Sequence, residues 1–230
     1  MTDLDAELER ARDLDVGELA DAVRTIGFSC TRCGACCRGH GDEHTATVFP
    51  DEVRAIVAGV EGGGDDGAGG GDPYDWRDVA RPMPFGLEPG DDDELAGETF
   101  EWALQVDDCG DCRFYDDGPA DGPGACTVYD DRPLICATYP FSVDLGGTEP
   151  MGEVVDGAGP VRAHECEGLG RDIDEADAMA LAETLKQRAI REVEEMIAVS
   201  ENYEPVNPGP GEVVVHDSEG AKRPDGTAYR

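Results

Sequence analysis

The chain has 230 residues, 53 of them acidic and 18 basic, so its formal net charge at pH 7 is −35. A protein that binds nucleic acid needs a basic face to neutralise phosphates, but the 16 arginines and two lysines here are scattered along the chain. The composition therefore excludes an ordinary nucleic-acid binder and predicts repulsion from anionic membrane surfaces.

Neither a membrane span nor a secretion signal is visible in the sequence. No apolar run approaches the roughly 18 residues that cross a bilayer, and the first residues, MTDLDAELERARDL, are charged where a signal peptide is apolar. An excess of carboxylates with very little lysine is typical of a salt-rich cytoplasm, where screening limits self-repulsion. We therefore expect a cytoplasmic, halophilic protein that folds; global disorder is the alternative that the composition leaves open.

Two helical regions are predicted in the first quarter of the chain. Residues 1–26 carry apolar side chains at near-helical intervals, which predicts one or two short amphipathic helices. A further helix is expected to begin at Phe49–Pro50, with Pro and carboxylates in its first turn, and to end at Gly59.

The stretch 59–72 reads GVEGGGDDGAGGGD. Glycines and carboxylates bury too little apolar surface to offset the entropy of ordering the backbone, so a flexible insertion is predicted. Asp65 and Asp66 are carboxylates that would suit a cation, but a solvated linker is the favoured interpretation.

Strands are predicted in the middle of the chain. Alternating apolar residues from Phe100 to Val106 indicate a half-buried strand. The segments CGDCRFY and ACTVYDDRPLICATYPF flank the Gly/Pro-rich loop DDGPADGPG, which favours a hairpin or a knuckle-like turn. Another strand is expected near 141–145.

The longest helix is predicted over residues 172–199, about 28 residues, capped by Asp172 or Asp174. The last thirty residues contain four prolines and a lone strand candidate, VVVH, at 213–216. These features predict a loosely attached tail with His216 on its surface.

The nine cysteines are the residues that say most about function. In a cytoplasmic chain they indicate metal ligands or redox groups before disulfides, and their odd number and clustering weaken the readings as disulfide staples or as small core residues. They form CxxCxxCC, a second CxxC and three later single cysteines: Cys30, Cys33, Cys36, Cys37, Cys109, Cys112, Cys126, Cys136 and Cys166.

The CxxC spacing suits metal because a tight turn brings both sulfurs to one ion while turn amides point at them. Gly34 suits such a turn. Cys36 and Cys37 are too close for a comfortable disulfide, and neighbouring side chains diverge in extended backbone. These two cysteines should therefore serve different sites, or one of them should be a free thiol.

The motifs FSCTRCGACCRG, CRFYDDGPADGPGACTVYDDRPLICATYPF and HECEG resemble the CxxCxxCC cysteine-cluster family of YkgJ type, described as zinc- or iron-chelating and as iron–sulfur-cluster proteins. The resemblance covers roughly residues 27 to 168. Cys109 has no counterpart in it, and Ala137 stands where the family usually has a basic residue. The resemblance implies metal ligands at eight positions: Cys30, Cys33, Cys36, Cys37, Cys112, Cys126, Cys136 and Cys166.

Three histidines lie near these cysteines, namely His40, His44 and His164. His40 occupies the fourth position of a C-x2-C-x2-C-x3-C run, but coincidence is the favoured interpretation for all three. Arg132 is expected either to neutralise thiolate charge or to form a surface salt bridge, and Pro133 to fix the turn.

Together these features predict an α+β fold: a small metal-organised domain, helix-rich with a few short strands. Four regions are expected: an N-terminal helical segment, the cysteine-cluster domain with its insertion at 59–72, a long helix packing on that domain, and the tail. Their boundaries are 1–26, 27–168, 169–200 and 201–230.

Two functions follow from the cysteines. The first is an iron–sulfur protein, with a cluster that could be of the 4Fe–4S type, acting in electron transfer or as an accessory to an oxidoreductase or methyl-transfer system, with a redox protein as partner. The second is a zinc-chelating structural or metal-handling module without catalysis. The CxxCxxC run favours iron, whereas separated CxxC pairs favour Zn²⁺.

The eight cysteines are compatible with two four-cysteine sites or with one cluster and spare thiols. No nucleic-acid or membrane partner and no catalytic residues are predicted.

Overall fold

A computed structural model describes residues 3–39, 44–62, 74–89, 95–118, 123–147 and 152–230 of the chain. Helices and several small sheets occur side by side, so the predicted α+β class is confirmed. The helices are α1 (Asp3–Asp13), α2 (Val16–Ile26), α3 (Pro50–Gly62), α4 (Trp76–Val79), α5 (Leu134–Thr138) and α6 (Glu175–Asn202).

The strands are short, and most have two to five residues. They are β1 (Ala80–Pro82), β2 (Leu87–Pro89), β3 (Leu95–Thr99), β4 (Trp102–Leu104), β5 (Tyr115–Asp116), β6 (Ala125–Cys126), β7 (Phe141–Val143), β8 (Val154–Ala158), β9 (Val161–His164), β10 (Val213–Asp217) and β11 (Gly220–Lys222).

The chain divides into two compact units. Unit 1 comprises the described residues within Met1–Cys36, Asp117–Gly124 and Leu134–Ile197. Unit 2 comprises those within Cys37–Asp116, Ala125–Pro133 and Ala198–Arg230.

Unit 1 is built on a three-stranded antiparallel sheet, in which β9 lies between β7 and β8. Helix α2 packs on β8 and β9 and places Leu19 and Val23 in the core, because these residues lie one helical turn apart on the same face. Asp15 caps α2 by accepting a 2.9 Å hydrogen bond from the amide of Glu18. Helix α6 contributes a stripe of buried residues at helical spacing: Ala178, Ala182, Leu185, Ala189 and Val193.

The two helices predicted for the N-terminal segment are confirmed as α1 and α2. The long helix is also confirmed in its length of 28 residues, although it begins at Glu175 and ends at Asn202. Asp174 is its cap, since its Oδ1 accepts a 2.8 Å hydrogen bond from the amide of Asp177.

Unit 2 contains a four-stranded sheet in the order β11–β10–β3–β2. Strands β10 and β3 run parallel, with Val213 opposite Gly97, and the other neighbours are antiparallel. Strands β1 and β4 form a second small sheet. Strands β5 and β6 pair antiparallel, which confirms the predicted hairpin around the Gly/Pro-rich loop.

The helix predicted to end at Gly59 instead continues to Gly62. Its start at Pro50 is as expected. Valine and glutamate between the first glycines of the insertion sustain the helix for another turn, so the insertion as predicted begins too early. Asp65 and Asp66, with the rest of the insertion from residue 63 to 72, lie outside the described residues.

The half-buried strand predicted from Phe100 to Val106 is wrong in its extent and its burial. Strand β4 has only three residues, and all of them are buried. The side chain of Phe100, in contrast, is half exposed and lies outside the strand. Side chains on both faces of β4 are therefore covered, which alternation alone does not reveal. The strand expected near 141–145 is confirmed as β7, three residues long.

The prediction of a loosely attached C-terminal tail is wrong for the strand candidate. Residues 213–217 form β10 in the middle of the four-stranded sheet, where Val214 and Val215 are fully buried. His216, expected on the surface, is only 1% exposed. Its Nε2 lies 2.8 Å from Oε2 of Glu98 on β3.

No helix within the described parts of the chain combines the length and apolar composition that a membrane crossing requires.

Candidate metal centre

None of the nine cysteines forms a disulfide in the structure. Unit 1 contains five of them, Cys30, Cys33, Cys36, Cys136 and Cys166. Unit 2 contains the other four, Cys37, Cys109, Cys112 and Cys126. The division of the chain therefore falls between the adjacent Cys36 and Cys37.

The CxxCxxC loop of unit 1 has an unusual backbone around its middle cysteine. Arg32 and Gly34, which flank Cys33, both have positive φ, 58° and 76°. Gly34 adopts this conformation without steric cost, but Arg32 pays about 1–2 kcal/mol for it. Non-glycine residues held in this region concentrate at ligand sites, because surrounding structure must enforce them.

The segment around Cys166 lies directly against the start of this loop. The amide of Ser29 donates to the carbonyl oxygen of Gly168 at 3.0 Å, and the hydroxyl of Thr31 donates to the carboxylate of Glu167. A Cβ on Gly168 would lie 2.6 Å from the carbonyl oxygen of Ser29, so only glycine permits this approach. These contacts bring Cys166 to the CxxCxxC loop although the two are far apart in the sequence.

The thiol of Cys166 has an environment suited to a metal ligand. Burial is the main cause that raises its pKa, and the negative charge of Cys33, Cys36 and Cys30 raises it further. The amide of Gly168 opposes this rise by donating a 3.4 Å hydrogen bond to the Cys166 sulfur. Four thiols thus share one electrostatic neighbourhood, in which a cation would favour their ionised form.

Tyr139 is a residue of this centre that the sequence analysis missed. Its hydroxyl donates a hydrogen bond to the carbonyl oxygen of Glu165, one residue before Cys166. Burial raises the pKa of Tyr139 to about 12, and the charges of Cys166, Cys36, Glu165 and Cys33 act in the same direction. The phenol therefore stays protonated and keeps its hydrogen bond to the Glu165 carbonyl oxygen, next to Cys166. Its only sequence signal was its place in the segment ATYPF.

Cys136, the fifth thiol of unit 1, lies on α5 and is half-buried. Tyr139 follows that helix, and its amide donates a 3.1 Å hydrogen bond to the carbonyl oxygen of Ile135. The short helix thus carries both Cys136 and the tyrosine that belongs to the centre.

In unit 2, backbone hydrogen bonds join the segments that carry cysteines. The amide of Cys112 donates to the carbonyl oxygen of Cys37 at 2.7 Å. The amide of Tyr115 donates to the carbonyl oxygen of Cys112 at 3.0 Å, and Tyr115 pairs with Cys126 across β5 and β6. The cysteines at 37, 112 and 126 therefore lie on adjacent backbone segments.

The turn between Cys109 and Cys112 is organised by an aspartate. Oδ1 of Asp107 accepts hydrogen bonds from the amides of Cys109 at 2.8 Å and Asp111 at 3.1 Å. Gly110 takes the positive φ of 85° that the turn requires. This is a pre-shaped CxxC turn, in which Cys112 is buried and Cys109 is exposed.

The histidines separate into different environments. Both ring nitrogens of His164 already have partners, Ser142 Oγ at 2.9 Å and the carbonyl oxygen of Glu153 at 3.2 Å. This engagement argues against a role as ligand. His44 is buried, and its amide donates to the carbonyl oxygen of Gly110 at 2.9 Å, which brings its backbone to the CxxC turn. His40 lies outside the described residues.

Arg132 contacts an aromatic ring. Its guanidinium carbon lies 3.9 Å from the ring centroid of Tyr129, a cation–π contact within the segment between Cys126 and Cys136.

Among the residues that the structure describes, no group of three or more His, Cys, Asp or Glu side chains is already arranged to hold a metal ion. The donor chemistry fits a soft metal in both units, since thiols are the ligands that zinc and iron–sulfur clusters prefer. In unit 1 the Gly168 amide aimed at a sulfur adds the hydrogen bond typical of such sites.

No family model matches this chain, and neither a curated protein nor a solved structure matches it. The resemblance to the cysteine-cluster family therefore depends on the motifs alone, and function is argued from the residues.

Proposed function

We propose that this protein binds metal through its cysteines, as its resemblance to the CxxCxxCC family implies. Unit 1 would hold an iron–sulfur cluster of the 4Fe–4S type, and the protein would act in electron transfer or as an accessory to an oxidoreductase or methyl-transfer system. The observation that carries this proposal is that the Cys166 segment lies against the start of the CxxCxxC loop, where the amide of Ser29 donates to the Gly168 carbonyl at 3.0 Å.

The spacing of these ligands favours iron. Three cysteines two residues apart, joined by one distant cysteine, are typical of 4Fe–4S proteins. A structural zinc site more often combines separated pairs. When bound, such a cluster supplies one-electron transfer, for which a redox protein is the natural partner.

The chain's own residues would hold and tune this centre. The four thiolates bind, and the amide of Gly168 donates to the Cys166 sulfur, a contact that raises the reduction potential of a thiolate-bound centre. Tyr139, a half-buried side chain, donates a hydrogen bond from its hydroxyl to the carbonyl oxygen of Glu165, next to Cys166, and keeps its proton at neutral pH.

The test is metal and sulfide analysis of the full chain purified without oxygen. We expect iron and acid-labile sulfide near four of each per chain with visible absorbance, as a 4Fe–4S cluster requires. Cys33→Ser and Cys166→Ser should each lose the iron, whereas Cys109→Ser, a matched change in unit 2, should keep it. Absence of stoichiometric metal, together with free reaction of all nine thiols in the folded protein, would refute metal binding.

The alternative function is a zinc-chelating structural or metal-handling module without catalysis. The pre-shaped turn from Cys109 to Cys112 favours it, because CxxC turns are typical of structural zinc sites. Colourless protein with zinc but no iron would support this alternative and exclude the iron–sulfur proposal.

A further inference from the structure

We propose that Phe100 and Tyr203 of unit 2 form a docking surface for an arginine-bearing segment of a partner protein. The surface contains no cysteine, so the inference goes beyond the proposed metal-binding function and does not depend on it. The partner is identified by its chemistry, namely a guanidinium that stacks on an exposed aromatic ring and pairs with the carboxylates beside it.

The first argument is that two exposed aromatic side chains are in contact. Phe100 is 50% exposed and Tyr203 is 42% exposed, and their ring centroids lie 5.7 Å apart. Trp102, two residues after Phe100, is by contrast buried in the core. Exposed aromatic side chains are enriched at protein interfaces, where they often contribute most of the binding free energy. The pair therefore indicates a surface that a partner covers.

The buried ring of His216 supports this pair. It stacks on Phe100 with 5.2 Å between the ring centroids and 24° between the planes, and its centroid lies 4.8 Å from that of Tyr203. The parallel pairing of β3 with β10 explains the stack, since Phe100 and His216 directly follow the paired residues Thr99 and Val215. The stack covers one part of Phe100, and the exposed half of its ring is what a partner can contact.

Hydrogen bonds hold the residues that carry these rings. Nε2 of His216 lies 2.8 Å from Oε2 of Glu98. Tyr203 follows the end of α6, where Nδ2 of Asn202 donates a 2.7 Å hydrogen bond to the carbonyl oxygen of Ser218, just after β10. The rings are thus fixed next to the ends of regular elements, so binding a partner costs little conformational entropy on this side.

The charges nearest to the two rings in the sequence are all negative. They belong to Glu98, Glu101, Glu201 and Glu204. Within three positions of either ring the sequence contains neither Lys nor Arg. A rim of carboxylates attracts a cationic partner and repels an acidic one. This charge disfavours a second copy of the chain, whose net charge is also −35, and favours a basic segment of another protein.

Other aromatic rings of this protein already have a cation over them. Five rings have a Lys or Arg side chain 3.9 to 5.6 Å from the ring centroid: Tyr74, Trp76, Tyr115, Tyr129 and Tyr229. In the part of the chain that the structure describes, no such cation lies over Phe100 or Tyr203. The electron-rich face of an aromatic ring attracts a cation, so a partner can supply the one that the fold does not.

Arginine suits this surface better than lysine. Its planar guanidinium stacks on an aromatic ring, donates two parallel hydrogen bonds to a carboxylate, and is more weakly hydrated than an ammonium group. We therefore expect arginine and lysine segments of equal charge to bind with different affinity. A general attraction to the acidic surface would not depend on the ring of Phe100.

The experiment titrates the full chain with three capped hexapeptides, in which leucine alternates with arginine, lysine or glutamate. Binding is followed through the NMR signals of labelled Phe and Tyr rings in about 1 M KCl, where screening limits general charge attraction. We expect the arginine peptide to bind and to shift the signals of Phe100 and Tyr203. The lysine peptide should bind more weakly, and the glutamate peptide should not bind.

Variants test the role of the ring. Phe100→Leu keeps an apolar side chain but removes the aromatic face, so the arginine peptide should bind about 3- to 30-fold more weakly and lose its advantage over the lysine peptide. Phe100→Trp keeps an aromatic face and should keep the binding. Tyr129→Leu is the matched control, because Tyr129 is an exposed aromatic residue of unit 2 whose ring contacts Arg132. It should bind the arginine peptide like the wild type.

Absence of binding by the arginine peptide, or equal binding to the wild type and Phe100→Leu, would overturn the inference. Loss of binding in a well-folded Phe100→Trp would also overturn it. A wild-type dimer that becomes monomeric in Phe100→Leu would assign the surface to a second copy and contradict the basic partner. Circular dichroism checks folding. If Phe100→Leu folds poorly, Tyr203→Leu decides: weaker binding of the arginine peptide supports the surface, and unchanged binding overturns it.

Discussion

The amide of Cys112 donates a 2.7 Å hydrogen bond to the carbonyl oxygen of Cys37, although the two residues are distant in the sequence. This bond joins the end of the CxxCxxCC run to the second CxxC turn. It fixes their relative position by backbone contacts, which do not depend on the protonation of the thiols. The two cysteine-bearing segments of unit 2 are therefore held side by side by their backbones.

We predict that Gly168→Ala weakens unit 1. The added methyl would lie 2.6 Å from the carbonyl oxygen of Ser29 and 3.0 Å from the Phe28 ring, so the two segments must separate. We expect a loss of about 1–3 kcal/mol in the free energy of unfolding, and a lower iron content. Chemical denaturation and iron analysis measure both effects.

Gly209→Ala is the control for this change. Its new methyl meets only the side chain of Glu212, whose carboxylate lies 3.1 Å away and accepts hydrogen bonds from the Gly209 amide and the Tyr229 hydroxyl, so we expect a smaller loss there than at the 2.6 Å backbone contact of Gly168. An equal loss of stability in both variants, or none in Gly168→Ala, would contradict the close packing of the Cys166 segment.

A buried ion pair in unit 2 leads to a second prediction. Nζ of Lys222 lies 2.8 Å from Oδ2 of Asp217, and both side chains are almost fully buried. Asp217 also accepts a 2.8 Å hydrogen bond from the indole of Trp102. Lys222→Ala leaves the carboxylate buried without its cation, so we expect the unfolding free energy to fall by about 3–5 kcal/mol.

The comparison variant is Arg54→Ala. Arg54 pairs with Glu219 at the surface, where both side chains are about half exposed. Solvent screening limits such a pair to about 1 kcal/mol or less. Denaturant titration should therefore show a clearly larger loss of unfolding free energy in Lys222→Ala than in Arg54→Ala. Similar losses in the two variants would contradict the prediction that breaking the buried pair destabilises the fold more than breaking the exposed one.

The stability of the protein should depend on Glu219 in acid. The hydrogen bond from Arg54 is the main cause that lowers the pKa of Glu219 to about 2, against a rise from burial, and Lys222 lowers it further. An unfolded Glu has a pKa of about 4.3, so this contribution to stability is present above that pH and is lost as the pH falls toward 2.

Glu219→Gln should remove this part of the acid dependence. Unfolding free energies measured between about pH 5 and pH 2 would then fall less steeply than in the wild type. Glu88→Gln, an exposed change of the same charge on β2, is the control. Parallel pH profiles for wild type and Glu219→Gln would contradict the prediction.

Low salt should destabilise the fold. At a net charge of −35, diluting salt from about 1 M to 0.1 M lengthens the Debye length from about 3 to 10 Å and strengthens repulsion between carboxylates. We expect a lower melting temperature and reduced circular dichroism in dilute KCl. A neutral osmolyte, which does not screen charge, should restore less stability than KCl. An unchanged melting temperature across this range would contradict the halophilic interpretation.

Local signals in the sequence were sufficient for α1, α2, α6 and the hairpin. Apolar residues repeat at helical spacing in α1 and α2, and Asp174 offers its carboxylate to the first turn of α6. The loop DDGPADGPG favours a reversal between β5 and β6. Each of these elements depends on residues within a few positions of one another, so single-chain patterns reveal them.

The CxxCxxCC spacing by itself predicted metal ligands, but the grouping of the thiols came from the tertiary structure. Spacing does not say which cysteines lie together, and the two units place Cys136 with Cys166 and Cys109 with Cys112. Tyr139 became part of the unit 1 centre because its hydroxyl donates to the carbonyl oxygen of Glu165, next to Cys166. Such assignments depend on long-range closure of the chain, for which spacing contains no information.

The C-terminal residues show most clearly which features depend on the local sequence and which depend on the tertiary structure. VVVH indicated a strand by its composition, yet its partner, β3, lies more than a hundred residues earlier in the chain. A strand exposes its backbone groups until another strand pairs with them, so its neighbours and not its own residues decide whether it is an edge or a centre. That non-local pairing buries His216 beside Glu98. The sequence predicted His216 on the surface, but the residue belongs to the core of unit 2.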